Sequence, residues 1–161
     1  MKPDLFFNIK GSTDSELMFY LALSFGLEKH PLIALEKMAG FIELTAKKKG
    51  IENPLQMTLG LSDGNILYGV RYSSEKKSRS LYCSDDMASI IKVIPELKED
   101  FSLDSRAIVS EPLGDNVHKQ WIEVPESSSL RIEDGNVTLL DLRSYVHNGR
   151  TQRLLSSSFA N

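Results

Sequence analysis

One carboxylate, Asp14, stands in the polar run Gly11-Ser12-Thr13-Asp14-Ser15-Glu16, immediately before an apolar segment, Leu17 to Phe25. At that position it can do either of two things. It can complement the unpaired N–H groups and positive field of a helix start. It can also project into a pocket and receive an ammonium group. The remaining groups with chemical potential are sparse. Cys83 lies between Tyr82 and Ser84 in a strand-like run with no base nearby in sequence, so a packing role is expected over a nucleophile. Arg71 alternates with Val70 and Tyr72 and is expected to pair on a strand surface with Glu75 or Asp63. His118, shortly before Trp121, is expected to make a surface contact. Ser62-Asp63-Gly64 and Glu133-Asp134-Gly135-Asn136 are turn chemistry. Composition and spacing therefore yield no catalytic set: no Ser/His/Asp arrangement and no glycine-rich phosphate loop. One cysteine and three histidines disfavour a zinc site, and no metal or cofactor is expected.

The elements that must position these residues follow from the apolar pattern. Thr13 and Glu16 have capping-box spacing, so a helix is expected from about Ser15 towards Gly26. Its apolar residues lie nearly all round, which implies burial on more than one side. His30-Pro31 imposes an extended step. Leu32, Leu35, Met38, Ala39, Ile42 and Ala46 then form one stripe on a second helix, stopped by Gly50. Lys47-Lys48-Lys49 suits that helix's C-terminus. Lys76-Lys77-Ser78-Arg79 reads as a solvated hairpin tip.

Beyond residue 55 the period shortens to two. Strands are expected at 56–61 and 65–72 as a hairpin, then at 80–84, 106–110 and 120–124. A second hairpin joins 129–132 to 137–140, and 86–99 reads as a short helix or irregular crossing. The order is two helices followed by an antiparallel meander, an α+β pattern with helices packed on sheet.

Length and charge bound the class. The 161 residues suit one domain with a core, with no linker that would split them. The net charge of −3, from 19 basic and 22 acidic residues, gives no footprint for nucleic acid. The N-terminal segment does not have signal-peptide character, and the run 17–27 is too short to span a bilayer. A soluble cytoplasmic protein is expected, with neither membrane nor nucleic-acid partner.

Four blocks in order carry a family resemblance: GSTDSELMFYLALSFG at 11–26, LGLSDGNILYGVRYSS at 59–74, IVSEPL at 108–113 and WIEVPESSSLRIEDGNV at 121–137. The chain resembles the C-terminal portion of a class II glutamine amidotransferase, the N-terminal-nucleophile type. The first block is the most specific, and together they span most of residues 8–140. The resemblance implies an αββα sandwich of two antiparallel sheets between helical layers. It implies glutamine as nitrogen donor, hydrolysed to glutamate and ammonia for an unknown acceptor. It also implies that the Asp of the Thr-Asp-Ser/Thr-Glu block, here Asp14, binds the α-amino group of glutamine.

One departure has consequences. Family members begin with a cysteine directly after the initiator Met, whereas this chain begins Met1-Lys2-Pro3. Cys83 occupies a position the family does not use for catalysis. The family's oxyanion-hole Asn-Gly and carboxylate-binding Arg lie upstream of the Thr-Asp block, and residues 1–10 supply neither. The expectation is that residues 1–146 form the C-terminal portion of such a domain, inactive alone, and that 147–161 form a frayed polar tail. Exposed edges and apolar surface should then lead it to homo-oligomerise or to pair with a separate N-terminal segment. The alternative reading is a non-catalytic module that self-associates through exposed sheet edges. A third is an amino-acid-binding remnant that retains Asp14.

Overall fold

The computed structural model describes residues 3–112 and 120–145. The expected contact of His118 and the expected tail 147–161 lie outside the described residues. The chain forms two compact units. One comprises residues 3–55 and 142–145; the other comprises 56–112 and 120–141.

The first unit is helical: α1 (Pro3–Phe6), α2 (Asp14–Ser24) and α3 (Pro31–Lys47). The sequence pattern had not called for α1. Thr13 caps α2 in extended conformation, with its Oγ1 accepting from the Glu16 amide at 3.3 Å. Both long helices end in a six-to-one backbone bond, Leu27 N to Ala22 O and Ile51 N to Ala46 O. Ala34, Leu35, Met38, Ala39 and Ala46 are buried along α3, which bears out the expected stripe. On α2 only Leu21 and Ala22 are buried, while Leu17 and Phe19 stay 48% and 46% exposed. Burial on several sides was therefore the wrong expectation for its N-terminal half.

Residues 142–145 return to this unit as an extended strap on α3. The Tyr145 amide donates to Glu36 O at 2.9 Å, and the Arg143 amide donates to Glu36 Oε1 at 3.1 Å. Burial pushes the Glu36 carboxyl up, while the Arg143 amide and its charge pull it back down. Gly40 makes the strap possible, because a Cβ there would collide with the Tyr145 carbonyl.

The second unit holds two antiparallel sheets rather than one meander. The larger has order β1-β2-β6-β7, from β1 (Gln56–Ser62), β2 (Leu67–Ser73), β6 (Ser128–Glu133) and β7 (Asn136–Asp141). The smaller has order β4-β3-β5, from β3 (Tyr82–Ser84), β4 (Ile108–Val109) and β5 (Trp121–Glu123). The smaller sheet is thus inserted, in sequence, between the two hairpins of the larger. Leu81, Cys83 and Val124 pack against Leu130 and Ile132, with Leu67, Ile108, Val137 and Leu139 around them, so the sheets meet face to face. Helix α4 (Met87–Val93) buries Met87 and Ile90 with Trp121 and is capped by Asp86, which accepts from Ala88 N and Ser89 N.

Both hairpins form where the turn chemistry placed them. Asp63 Oδ1 accepts from the amides of Asn65 and Ile66 at 2.9 and 2.8 Å. Asp134 and Gly135, with φ of 49° and 74°, form the two-residue turn between β6 and β7. The Lys76–Arg79 stretch is not a hairpin tip. The carbonyls of Lys77 and Arg79 accept from the side chains of Gln56 and Thr58 on β1.

Candidate functional site

Helix α2 presents the candidate ligand group. Its start is built by three neighbours with separate tasks. Thr13 caps the helix through its hydroxyl. Glu16 reaches back past Thr13, accepting from Gly11 N at 2.7 Å and Lys10 N at 3.0 Å, and so pins the incoming loop. Asp14 then has only local partners: its Oδ1 accepts from Ser15 N at 2.8 Å and from the Ser15 hydroxyl at 3.4 Å. The residue is exposed, and no ion pair engages it among the described residues. The cap function falls to Thr13 and the loop-pinning function to Glu16, which leaves a carboxylate oxygen of Asp14 available to an external donor.

The other candidates resolve differently. Cys83 is 3% exposed, and burial pushes its thiol up to about 11, with Arg106 pulling down and Asp85 pushing up. Such a thiol is protonated at neutral pH and shielded from substrate, as expected of a packing residue. Arg71 does not pair with Glu75 or Asp63. It points between the two sheets at 13% side-chain exposure. There its Nη1 meets Glu123 Oε1 at 2.7 Å and Val124 O at 2.6 Å, and its Nε donates to Ser78 Oγ at 3.1 Å. Glu126 lies 4.0 Å from Nε and accepts from both the amide and hydroxyl of Ser78. Burial alone would raise the Glu126 carboxyl; the two Ser78 bonds and Arg71 outweigh it and hold the group below its ordinary value. Arg71 strays from the expected partners because Glu75 bonds Lys77 and Asp63 is spent on its turn. Nothing in strand periodicity revealed a partner 52 residues away.

One further feature escaped the sequence reading altogether. In the sheet unit, a cavity of about 260 Å³ is lined by Asp85, Arg106, Asn136 and Val137, with the core side chains of Val124 and Leu130 almost wholly buried behind it. Its residues come from four separate segments, so no local motif announced it. Among the described residues, no cluster of His, Cys, Asp and Glu suits a metal ion, and no helix is long and apolar enough to cross a membrane.

No family model matches the chain, and no curated protein matches it. Among solved structures, the chain is similar to a glutamine aminotransferase class-II domain protein from Silicibacter pomeroyi. The two are 30% identical in sequence with a TM-score of 0.74, over 90% of this chain and 58% of that one. This chain thus spans less than two thirds of that neighbour's length. The likeness suggests the class-II glutamine aminotransferase family and accords with the mixture of helices and antiparallel sheet described above.

Proposed function

We propose that this chain is the α-amino-binding portion of a class II glutamine amidotransferase domain, with a partial αββα sandwich as its scaffold. Asp14 receives the glutamine ammonium. The nucleophile is a cysteine thiol from polypeptide equivalent to the part of the neighbour that this chain does not span. That thiolate attacks the side-chain amide carbon, the C–N bond breaks, and nitrogen leaves as ammonia after taking a proton. Water then opens the thioester to give glutamate and regenerate the thiol. The chain by itself has no turnover in this reading, since its own thiol is buried and protonated. The single observation that carries the proposal is the exposed Asp14 carboxylate at the capped start of α2, in a chain 30% identical to a class-II domain protein.

The test is ammonia release from glutamine, by the 161-residue chain and by the product of the upstream reading frame joined to it. We expect none from the first, turnover from the second, and loss of at least about a hundredfold on Asp14→Asn, since an unpaired substrate ammonium forfeits a charge-assisted contact. Turnover by the short chain, or undiminished turnover in Asp14→Asn, refutes the assignment.

A second reading, a non-catalytic module that pairs with its own copy, draws support from the exposure of Leu17, Phe19, Phe41 and Leu44. Sedimentation of the short chain separates the two. A dimer dispersed by Phe19→Glu favours the module, and a monomer at all concentrations removes it.

A further inference from the structure

The larger sheet ends on β1, and among the described residues that edge is bare. Edge strands invite unwanted pairing, and folded chains blunt them with charge, proline, a bulge or shortness. The other three edges have such a device: β4 and β5 are two and three residues long, and β7 ends on Asp141. β1 has none. Its sequence, Gln56-Met57-Thr58-Leu59-Gly60-Leu61-Ser62, carries no charge and no proline, and its register with β2 is unbroken. Met57 is buried, whereas Leu59 and Leu61 on the same face are only half-buried.

The pairing with β2 shows which backbone groups this edge offers. In the turn, Asp63 N donates to Ile66 O at 3.3 Å, and bonded pairs recur at every second residue of an antiparallel ladder. Leu61, Leu59 and Met57 therefore spend their N–H and C=O groups on Tyr68, Val70 and Tyr72. Those of Gln56, Thr58, Gly60 and Ser62 point away from β2. These four residues have one antiparallel match to a second copy that leaves no group over. Gln56 faces Ser62 of the partner subunit, Thr58 faces the partner's Gly60, and each pair exchanges both of its bonds. A slip of one residue sets outward groups against inward ones. A slip of two leaves Gln56 or Ser62 without a strand partner.

Side chains agree with that register. Leu59 opposes the partner's Leu59 and Met57 opposes the partner's Leu61, so apolar groups cover one another and no like charges meet within the strand. The flanks are complementary in charge. Gln56 Nε2 donates to Lys77 O and Thr58 Oγ1 to Arg79 O, each at 3.0 Å, so the basic stretch 76–79 lies along the start of β1. Asp63 follows its end. A twofold axis at Leu59 brings each basic stretch towards the partner's Asp63.

We infer that β1 pairs with β1 of a second copy of this chain, antiparallel about Leu59, joining the two four-stranded sheets into one. The inference is independent of the glutamine reading, and it uses a surface other than the exposed helical residues Leu17 and Phe19.

The experiment is sedimentation of the full chain from about 1 μM to 1 mM, with amide exchange measured at both ends of that range. We expect a dimer at the high end, with exchange at Thr58 and Gly60 slowed by about tenfold or more relative to the low end. Met57 and Leu59, already bonded to β2, should show the smaller change. Leu59→Lys and Leu59→Glu should each weaken the dimer by about tenfold or more, because like charges then oppose each other, and mixing the two variants should restore it. Phe19→Glu should leave the dimer intact. A monomer throughout overturns the inference. So does a dimer whose Thr58 and Gly60 amides do not slow, or one dispersed by Phe19→Glu. So does a monomer in which those amides are already slow, since another segment then covers the edge. The wild-type exchange carries the test even if the residue 59 variants misfold, and glutamine turnover does not enter it.

Discussion

Thr13, Asp14 and Glu16 divide the work of one helix start: Thr13 caps it, Glu16 pins the incoming loop, and Asp14 bonds only its neighbour Ser15 among the described residues. The Thr13 half of the expected capping box was legible, since its spacing is local; the reciprocal half is not formed, because Glu16 accepts from Lys10 and Gly11 instead of the Thr13 amide. The sequence left open which acid did what, because the answer depends on where the 10–11 loop runs. Thr13→Ala should cost about 1 kcal/mol of stability in a denaturation experiment, whereas Asp14→Asn should cost only about 0.3–1 kcal/mol. A larger loss for Asp14→Asn than for Thr13→Ala would show that the cap had been misassigned. Cys83 gives a second residue-scale expectation. With its thiol buried and raised to about 11, it should resist iodoacetamide at pH 8 in the folded chain and react on unfolding. Prompt labelling of the native protein would contradict the burial on which its packing role rests.

Among the elements, helices and hairpins were readable because their signals are short-ranged: a stripe at three- and four-residue spacing, an Asp-Gly turn, a Pro after His30. Two antiparallel sheets were implied by the family resemblance, but strand periodicity did not tell which of the seven described strands belongs to which sheet. That assignment depends on β2 pairing with β6 across the inserted small sheet, Leu67 to Ile132 and Arg71 to Ser128. That same pairing draws Arg71 between the sheets, where Glu123, Glu126 and Ser78 satisfy its charge. An acid dependence follows. Glu126 is held below its ordinary value, so its contribution is present above the unfolded-state value of about 4.5. It is lost as pH falls through the lower folded-state value. Glu126→Gln should therefore reduce stability at pH 7 by about 1 kcal/mol and flatten the acid limb below pH 4.5. Urea midpoints measured from pH 3 to 7 check this; an unchanged acid limb would mean that the cluster does not couple to folding.

At the scale of the molecule, the helical unit is discontinuous in sequence. Its strap arrives only after the sheet unit's last strand, and Gly40 is the point where strap and helix meet most closely. Gly40→Ala should destabilise that unit by about 1–3 kcal/mol, read as faster amide exchange along α3 with less change in β2 and β6. Uniform loss across both units would show instead that they unfold as one. The strap also sets a schedule during synthesis. The helices leave the ribosome first, yet Arg143, whose amide closes on Glu36, lies 107 residues later. At ordinary translation speeds the nascent helical pair waits about 5–20 s for its last segment. Throughout that interval the groove at Gly40 is open to chaperones and to neighbouring chains.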